Sequence, residues 1–308
     1  MEGSLRNLAR RIDLTSLLLF EAVCELGSIG KAAERENIAP SALSKRLIDL
    51  EAAVQTPLLF RHTRGVDLTQ AGESLLHHAR SIFQILDKAQ NELGEYVGGV
   101  KGHVRVHASI AAIVQFLPAD LRSFIGGNDQ IKIDLAEHLS ADIMRAIRDG
   151  TADLGICSVP TPSSDLQIRQ YRKDRLVLVV PSRHVLAGER SVPFEATLPF
   201  EHVALHANSA ISIVTQRAAQ RSSGTITLRV RVTGLDAMCR MIQIGLGIGV
   251  MPQRAFELIH GAGELVSVPL TDPWADRRID IVARDFSTLP VAAKLLVDHL
   301  SSSAEKAD

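Results

Sequence analysis

The stretch Ala32–Leu50, AAERENIAPSALSKRLIDL, constrains this chain more than any other, because it dictates a short helix, a tight turn and a second helix that starts abruptly. Ala32 and Ala33 are small enough for another helix to cross closely, Asn37 tolerates the left-handed conformation that ends a helix, and Pro40 suits the first position of the next. Leu43, Leu47 and Leu50 recur at i, i+4 and i+7, which commits one face of the second helix to a core. Ser41, Ser44, Lys45 and Ile48 then look outward from its N-terminal half. Short hydroxyls permit close approach to base edges, while Lys45 and Arg46 reach phosphates or guanine acceptors. An ordinary amphipathic helix pair would show a similar pattern, since the motif is short and degenerate. The next segment separates the two readings: Leu58–Phe60 and Val66–Leu68 suit two small strands around a basic tip at Arg61–Arg64, which is a wing.

The strings GSIGKAAERENIAPSALSKRLIDLE and TPLLFRHTRGVDLTQAGESLL resemble the winged helix-turn-helix of LysR-type transcriptional regulators. The resemblance rests on the Ala32-Ala33 pair, the Ser41-Ala42-x-Ser44 helix start, Leu50-Glu51, the wing arginine and Leu68-Thr69-x-x-Gly72. It implies a regulator of transcription in which Pro40, Ser41, Ser44 and Lys45 enter the major groove of promoter DNA. Arg64 on the wing would reach the neighbouring minor groove or phosphates, with Arg46 and Thr69 as further DNA contacts. Two departures stand out: Ala39 replaces the usual hydroxyl cap, at a cost of about 1 kcal/mol, and Gln55-Thr56-Pro57 replaces the more frequent Leu-Gly turn. Pro40 offsets some of the first by presetting the helical dihedral.

A chain of 308 residues exceeds what one core supports, so two or three domains are expected. The net charge of −1 is unusual for a DNA binder. The positive charge is local instead: Lys45, Arg46, Arg61 and Arg64 oppose only Asp49 and Glu51 between Ser41 and Val66. No segment approaches the ~18–20 apolar residues of a membrane span, and Leu17–Phe20 is too short for a signal-peptide core, so the sequence predicts a cytosolic protein. Cys24, Cys157 and Cys239 are odd in number and far apart, which argues against a disulfide framework or a metal site and favours buried thiols over a redox switch.

From Leu75 the apolar positions Leu75, Ala79, Ile82, Leu86, Ala89, Leu93 and Tyr96 alternate steps of four and three. A 3.5-residue period marks a long helix packed against a partner helix. The first six of these residues are the expected dimer seam, which the resemblance assigns to a linker helix pairing two subunits. Thr69 can cap this helix, and Gly94, Gly98 and Gly99 end it in a hinge. The resemblance further suggests a tetramer of two dimers and leaves room for RNA polymerase as a partner.

Beyond Val100, short β-rich runs alternate with helices, for example His103–His107, Ile131–Leu135, Leu176–Val180 and Ile279–Arg284. Such alternation argues for an α/β fold with largely parallel sheets. The expected architecture is α+β and multidomain: a winged helix-turn-helix over 1–68, a linker helix over 69–97, a hinge over 98–102 and an effector domain over 103–302. By resemblance, that last domain is similar to periplasmic binding proteins. It comprises one subdomain of 103–161 with 268–302 and another of 162–267, crossed near Val159–Ser164 and Ser267–Thr271.

In open α/β sheets ligands sit beyond the carboxyl ends of strands, facing helix starts. Ala108-Ser109-Ile110, Asn208-Ser209 and Thr233-Gly234 fit that rule and form the candidate effector site. Each hydroxyl also suits an ordinary helix cap; together, and with the effector site that the resemblance places at corresponding junctions, they favour a small organic anion, held by helix dipoles more than by side-chain cations. Gly245–Gly249 follows a helix and opens a strand, so it is a turn and not a dinucleotide fingerprint. His103 and His107 share a strand face without a ligand cluster, and His77-His78 suits a solvated helix surface. No cofactor, metal or catalytic constellation is indicated. The rivals are an α/β enzyme or small-molecule carrier with an incidental helical N-terminus, and a purely architectural DNA binder, which leaves some two hundred residues unexplained.

Overall fold

A computed structural model of the chain describes residues 12–62, 65–98, 102–159, 165–259 and 264–305. It divides into two compact units, residues 1–90 and 91–308.

The first unit opens with α1, Leu14–Leu26, capped by Asp13, whose carboxylate accepts from the Ser16 amide at 2.8 Å; Gly27, at φ 60°, ends it. Helix α2, Ile29–Arg35, is capped by Ser28. Asn37 takes the expected left-handed turn at φ 55°, and α3 runs from Pro40 to Val54 with no side-chain cap at Ala39. Ala32, Ala33, Leu43, Leu47 and Leu50 are buried together with Phe20 in one core. Strands β1, Leu59–His62, and β2, Gly65–Leu68, pair antiparallel to form the wing. Each begins or ends a residue away from the sequence expectation, a shift that places Arg61 inside β1 and not at the tip. Glu51 ties α3 to the wing: its Oε1 accepts from the Leu58 and Leu59 amides at 2.8 and 3.2 Å.

Helix α4, Gln70–Gly98, follows. A Cβ at Gly72 would lie 2.1 Å from the Leu58 carbonyl oxygen, so only glycine lets the helix start against the wing. The expected seam is divided between two uses. Ala79 is fully buried in the winged-helix core and so unavailable to a partner, while Leu75 packs half-buried against that core. Ile82, Ile85, Leu86 and Ala89 are exposed; the Leu93 side chain lies outside the described residues.

The second unit carries a mixed sheet in the order β10-β6-β11-β5-β3-β4, with β9 also on β6. Strand β3, Gly102–Ala108, runs parallel to β4, Ile131–Glu137, and to β5, Leu154–Cys157. Strand β11, Asp276–Ala283, is antiparallel to β5 and to the first half of β6, Gln167–Pro181. The second half of β6 pairs antiparallel with β9, Gly249–Pro252, and β10, Leu265–Pro269. The sheet is therefore mixed where largely parallel pairing was expected, because the two long crossing strands run against their neighbours. Strands β7, Glu201–Ala204, and β8, Thr227–Arg231, form a separate parallel pair.

Two cores result. Tyr171 and Ile279 belong to the one built on β3 and β5, whereas Leu176 and Ala275 belong to the other. The crossings thus fall between Tyr171 and Leu176 and between Ala275 and Ile279, later than the expected Val159–Ser164 and Ser267–Thr271. Extended strands that continue through the boundary, and not loops, carry the chain across. Helices α5, Ile110–Gln115, α6, Leu117–Gly127, α7, Ser140–Asp149, and α11, Val291–Glu305, accompany the first subdomain. Helices α8, Ala210–Arg221, α9, Leu235–Gln243, and α10, Gln253–Ile259, accompany the second. Among the described residues no helix is long and apolar enough to cross a membrane.

Candidate functional site

In the first unit the buried leucines of α3 fix which face turns outward. Pro40, Ser41 and Lys45 are exposed, Ser44 is half-buried, and Ile48 is 52% exposed. Ser44 Oγ accepts from Arg61 Nη1 at 3.2 Å, and Arg61 Nη2 lies 3.4 Å from Glu51 Oε2, so the wing strand braces the helix face. Lys45 carries no ion pair among the described residues. Arg46 leans toward α1, 3.4 Å from the Asp13 carboxylate and from Ser16 Oγ. An exposed pair of that length is weak, about 0–1 kcal/mol, and can yield to a phosphate. Asp13 itself is held below the usual carboxylate range, first by the Ser16 amide that it caps.

Thr69 differs from its expected role as a DNA contact. It is buried, donates to the Pro57 carbonyl at 2.8 Å and accepts from the Gly72 amide at 3.0 Å. Its hydroxyl is engaged within the fold, as a cap of α4. Arg64 lies outside the described residues.

In the second unit, a cleft of about 290 Å³ brings together Ser109, Ile110, Ser209 and Thr233, four of the seven residues expected there. Asn208 lines an adjoining cavity. Ala108 and Gly234 line neither: Ala108 is buried at the end of β3, and Gly234 caps α9 from behind. The starts of α5, α7 and α8 meet at this cleft, through Ser109, Ser140 and Ser209. A helix start leaves amides without intrahelical partners and a partial positive charge. The two predicted serines differ in kind. Ser209 Oγ accepts from the Ser212 amide at 3.1 Å, an ordinary cap, whereas Ser109 makes no side-chain cap bond.

His138 and His206 also border the cleft, and the His138 ring lies 4.3 Å from that of His107. Burial, and then the neighbouring His138, hold His107 below the usual histidine range. No group among the described residues could hold a metal ion. Arg277 reaches the cleft from β11; its Nε donates to Asp174 at 2.6 Å, and its Nη2, though 2.5 Å from the same oxygen, lies outside hydrogen-bond alignment.

The adjoining cavity, about 690 Å³, shares Ser140, Ser158, Ala210 and Arg277 with the cleft and adds Arg145, Arg148, Arg217 and Arg278. Side-chain cations therefore line this cavity in addition to the expected helix starts. They come from α7, α8 and β11, elements spread over more than a hundred residues of sequence. One signal was readable: Arg278 and Asp280 stand two apart in a strand and so share a face. The cysteines are unsuited to redox work, since burial pushes the Cys24 and Cys157 thiols up to about 12 and that of Cys239 up to about 11.

Comparison with known proteins agrees with both units. Residues 14–73 match the model of the bacterial regulatory helix-turn-helix protein, lysR family, and residues 98–305 match that of the LysR substrate binding domain. The chain is 24% identical over 292 residues to the HTH-type transcriptional activator CmpR of Synechocystis sp., covering 93% of this chain and 94% of that one. The fold is similar to full-length OxyR from Pseudomonas aeruginosa, with TM-score 0.73, 22% identity and 94% of each chain covered. It is also similar to full-length CbnR complexed with its target DNA, with TM-score 0.68, 18% identity, and 95% of this chain and all of that one, 100%, covered.

Proposed function

Because the chain belongs to the LysR family of bacterial transcriptional regulators, we propose that it reads promoter DNA as a dimer under the control of a small organic anion. The observation that carries DNA reading is the division of α3, with Leu43, Leu47 and Leu50 in the core and Ser41 and Lys45 on the outer face. Pro40, Ser41, Ser44 and Lys45 enter the major groove, Arg46 exchanges Asp13 for a phosphate, and Arg64 contacts the backbone or minor groove from the wing. Two copies joined along Ile82, Leu86 and Ala89 present two such heads to an interrupted inverted repeat.

The anion is held at the cleft where α5, α7 and α8 start, with the free hydroxyl of Ser109 as the directing group. Its binding favours one disposition of the two subdomains over another, because a ligand shifts a conformational equilibrium only by its differential affinity. The protein acts in the cytoplasm, without catalysis, and addresses RNA polymerase through the DNA it occupies. The alternative, an α/β enzyme or carrier, leaves the outer face of α3 without a role.

DNA fragments selected by the purified full-length chain test this reading. Arg64→Ala is expected to weaken binding across sequences and lower its salt dependence, whereas Ser44→Ala changes sequence preference. Unchanged affinity and preference in both variants would contradict it.

A further inference from the structure

The larger cavity beside the cleft is chemically divided. Met144, Val159, Ile213, Val214 and Trp274 give it an apolar wall; five arginines, one carboxylate, Asp280, and the neutral polar Ser140, Ser158 and Asn208 give it a polar one. Three of those arginines are already engaged: Arg145 lies 3.4 Å from Asp142, Arg148 2.5 Å from Asp165, and Arg277 is bonded to Asp174. Arg217, exposed on α8, has no ion pair among the described residues.

Asp280 is the unusual member. Its side chain is 3% exposed, and Oδ1 has no hydrogen-bond partner; Arg278 Nη2 stands 3.4 Å away, outside hydrogen-bond alignment. A buried carboxylate oxygen without a donor is costly, and native folds rarely leave one unless a group from elsewhere completes it. Burial pushes the Asp280 carboxyl up, with Arg278 opposing that rise. With Arg278 beside it holding the carboxylate form, Oδ1 accepts, and the group that completes it is a donor. The surrounding guanidinium groups disfavour a second positive charge, which makes a neutral hydroxyl a better fit than an ammonium.

We propose that this cavity is the part of the effector site that selects a hydroxylated organic anion with a bulky apolar body. The anionic group meets Arg217, the hydroxyl donates to Asp280, and the apolar body lies against Trp274 and Ile213. The proposal rests on the reading of the domain as a binder of organic anions and adds the donor that the anion carries.

Trp274 is the only tryptophan in the chain, so the protein's tryptophan fluorescence comes from a residue that lines this cavity. Three probes with one body and different α-substituents, 3-phenyllactate, phenylalanine and 3-phenylpropionate, are titrated against the full-length protein. A site built to pair with a hydroxyl rejects an analogue that lacks it. We expect 3-phenyllactate to bind at least about tenfold tighter than 3-phenylpropionate, with phenylalanine also weaker. Asp280→Asn should erase most of that preference, and Arg217→Ala should weaken both acids about equally. The wild-type series decides the matter even if Asp280→Asn fails to fold. Equal binding of 3-phenyllactate and 3-phenylpropionate, tightest binding of phenylalanine, or no response to any probe would overturn the proposal. Equal binding of the two acids, both weakened by Arg217→Ala, would remove the donor and leave the broader anion reading standing.

Discussion

Leu86→Lys probes the assembly most sharply. Leu86 is 44% exposed within its own subunit, beside exposed Ile82 and Ile85, so a little under half of its side chain remains to be covered by a partner. Full burial of a leucine contributes about 1.5–3 kcal/mol, so covering this remainder contributes ~1 kcal/mol per copy and ~2 kcal/mol per twofold dimer. Loss of that term alone, as in Leu86→Ala, weakens dimerisation about 30-fold. Lysine adds two like charges facing one another across an apolar seam, although its stem can partly snorkel to water. We expect Leu86→Lys to raise the dimer dissociation constant by a factor of roughly 100 to 1,000. Sedimentation equilibrium over a range of concentrations measures it, with far-ultraviolet circular dichroism showing that the subunit remains folded. Ala79→Lys behaves differently, because Ala79 is fully buried within the subunit: it unfolds the winged helix. An unchanged dissociation constant in Leu86→Lys would refute the seam.

Gly72→Ala places a Cβ 2.1 Å from the Leu58 carbonyl, and the resulting shift of α4 against the wing should lower stability by about 1–3 kcal/mol in urea unfolding. His202 is buried against the Thr197 carbonyl and held below the usual histidine range by that burial. Its unfolded form takes up the proton first, so its contribution to stability is fully present above about pH 6.5 and is lost as pH falls toward the lowered folded value. His202→Gln should flatten this part of the stability profile; His107 and His184, also depressed by burial, act in the same sense.

What the sequence made legible was local. The order of Ala32, Asn37, Pro40 and Leu43 dictates its own geometry, because each constraint acts within a few residues, and the structure follows it closely. The α4 seam was legible as a period but not as a partner: Ala79 and Leu86 share one repeat, yet one packs on its own subunit and the other does not. Periodicity reports which face is apolar and is silent on what covers it. Thr69 shows the same limit, since a hydroxyl at a helix start looks alike whether it serves a backbone amide or a phosphate. In the cleft, the helix starts at Ser109 and Ser209 could be found from strand-to-helix junctions. Arg145 and Arg217 could not, because only the crossing of β6 and β11 between subdomains brings α7 and α8 to face one cavity.

On the proposed reading, one chain couples an anion site to a DNA-reading head. The direct measurement is the affinity of the full-length protein for its selected DNA, with and without a saturating organic anion that binds the wild-type chain and loses affinity in Ser109→Ala. Linkage requires that the anion change DNA affinity by the same factor as DNA changes anion affinity. We expect a shared factor of about 5 to 150, corresponding to a coupling of ~1–3 kcal/mol. Equal DNA affinity in the presence and absence of such an anion would contradict it.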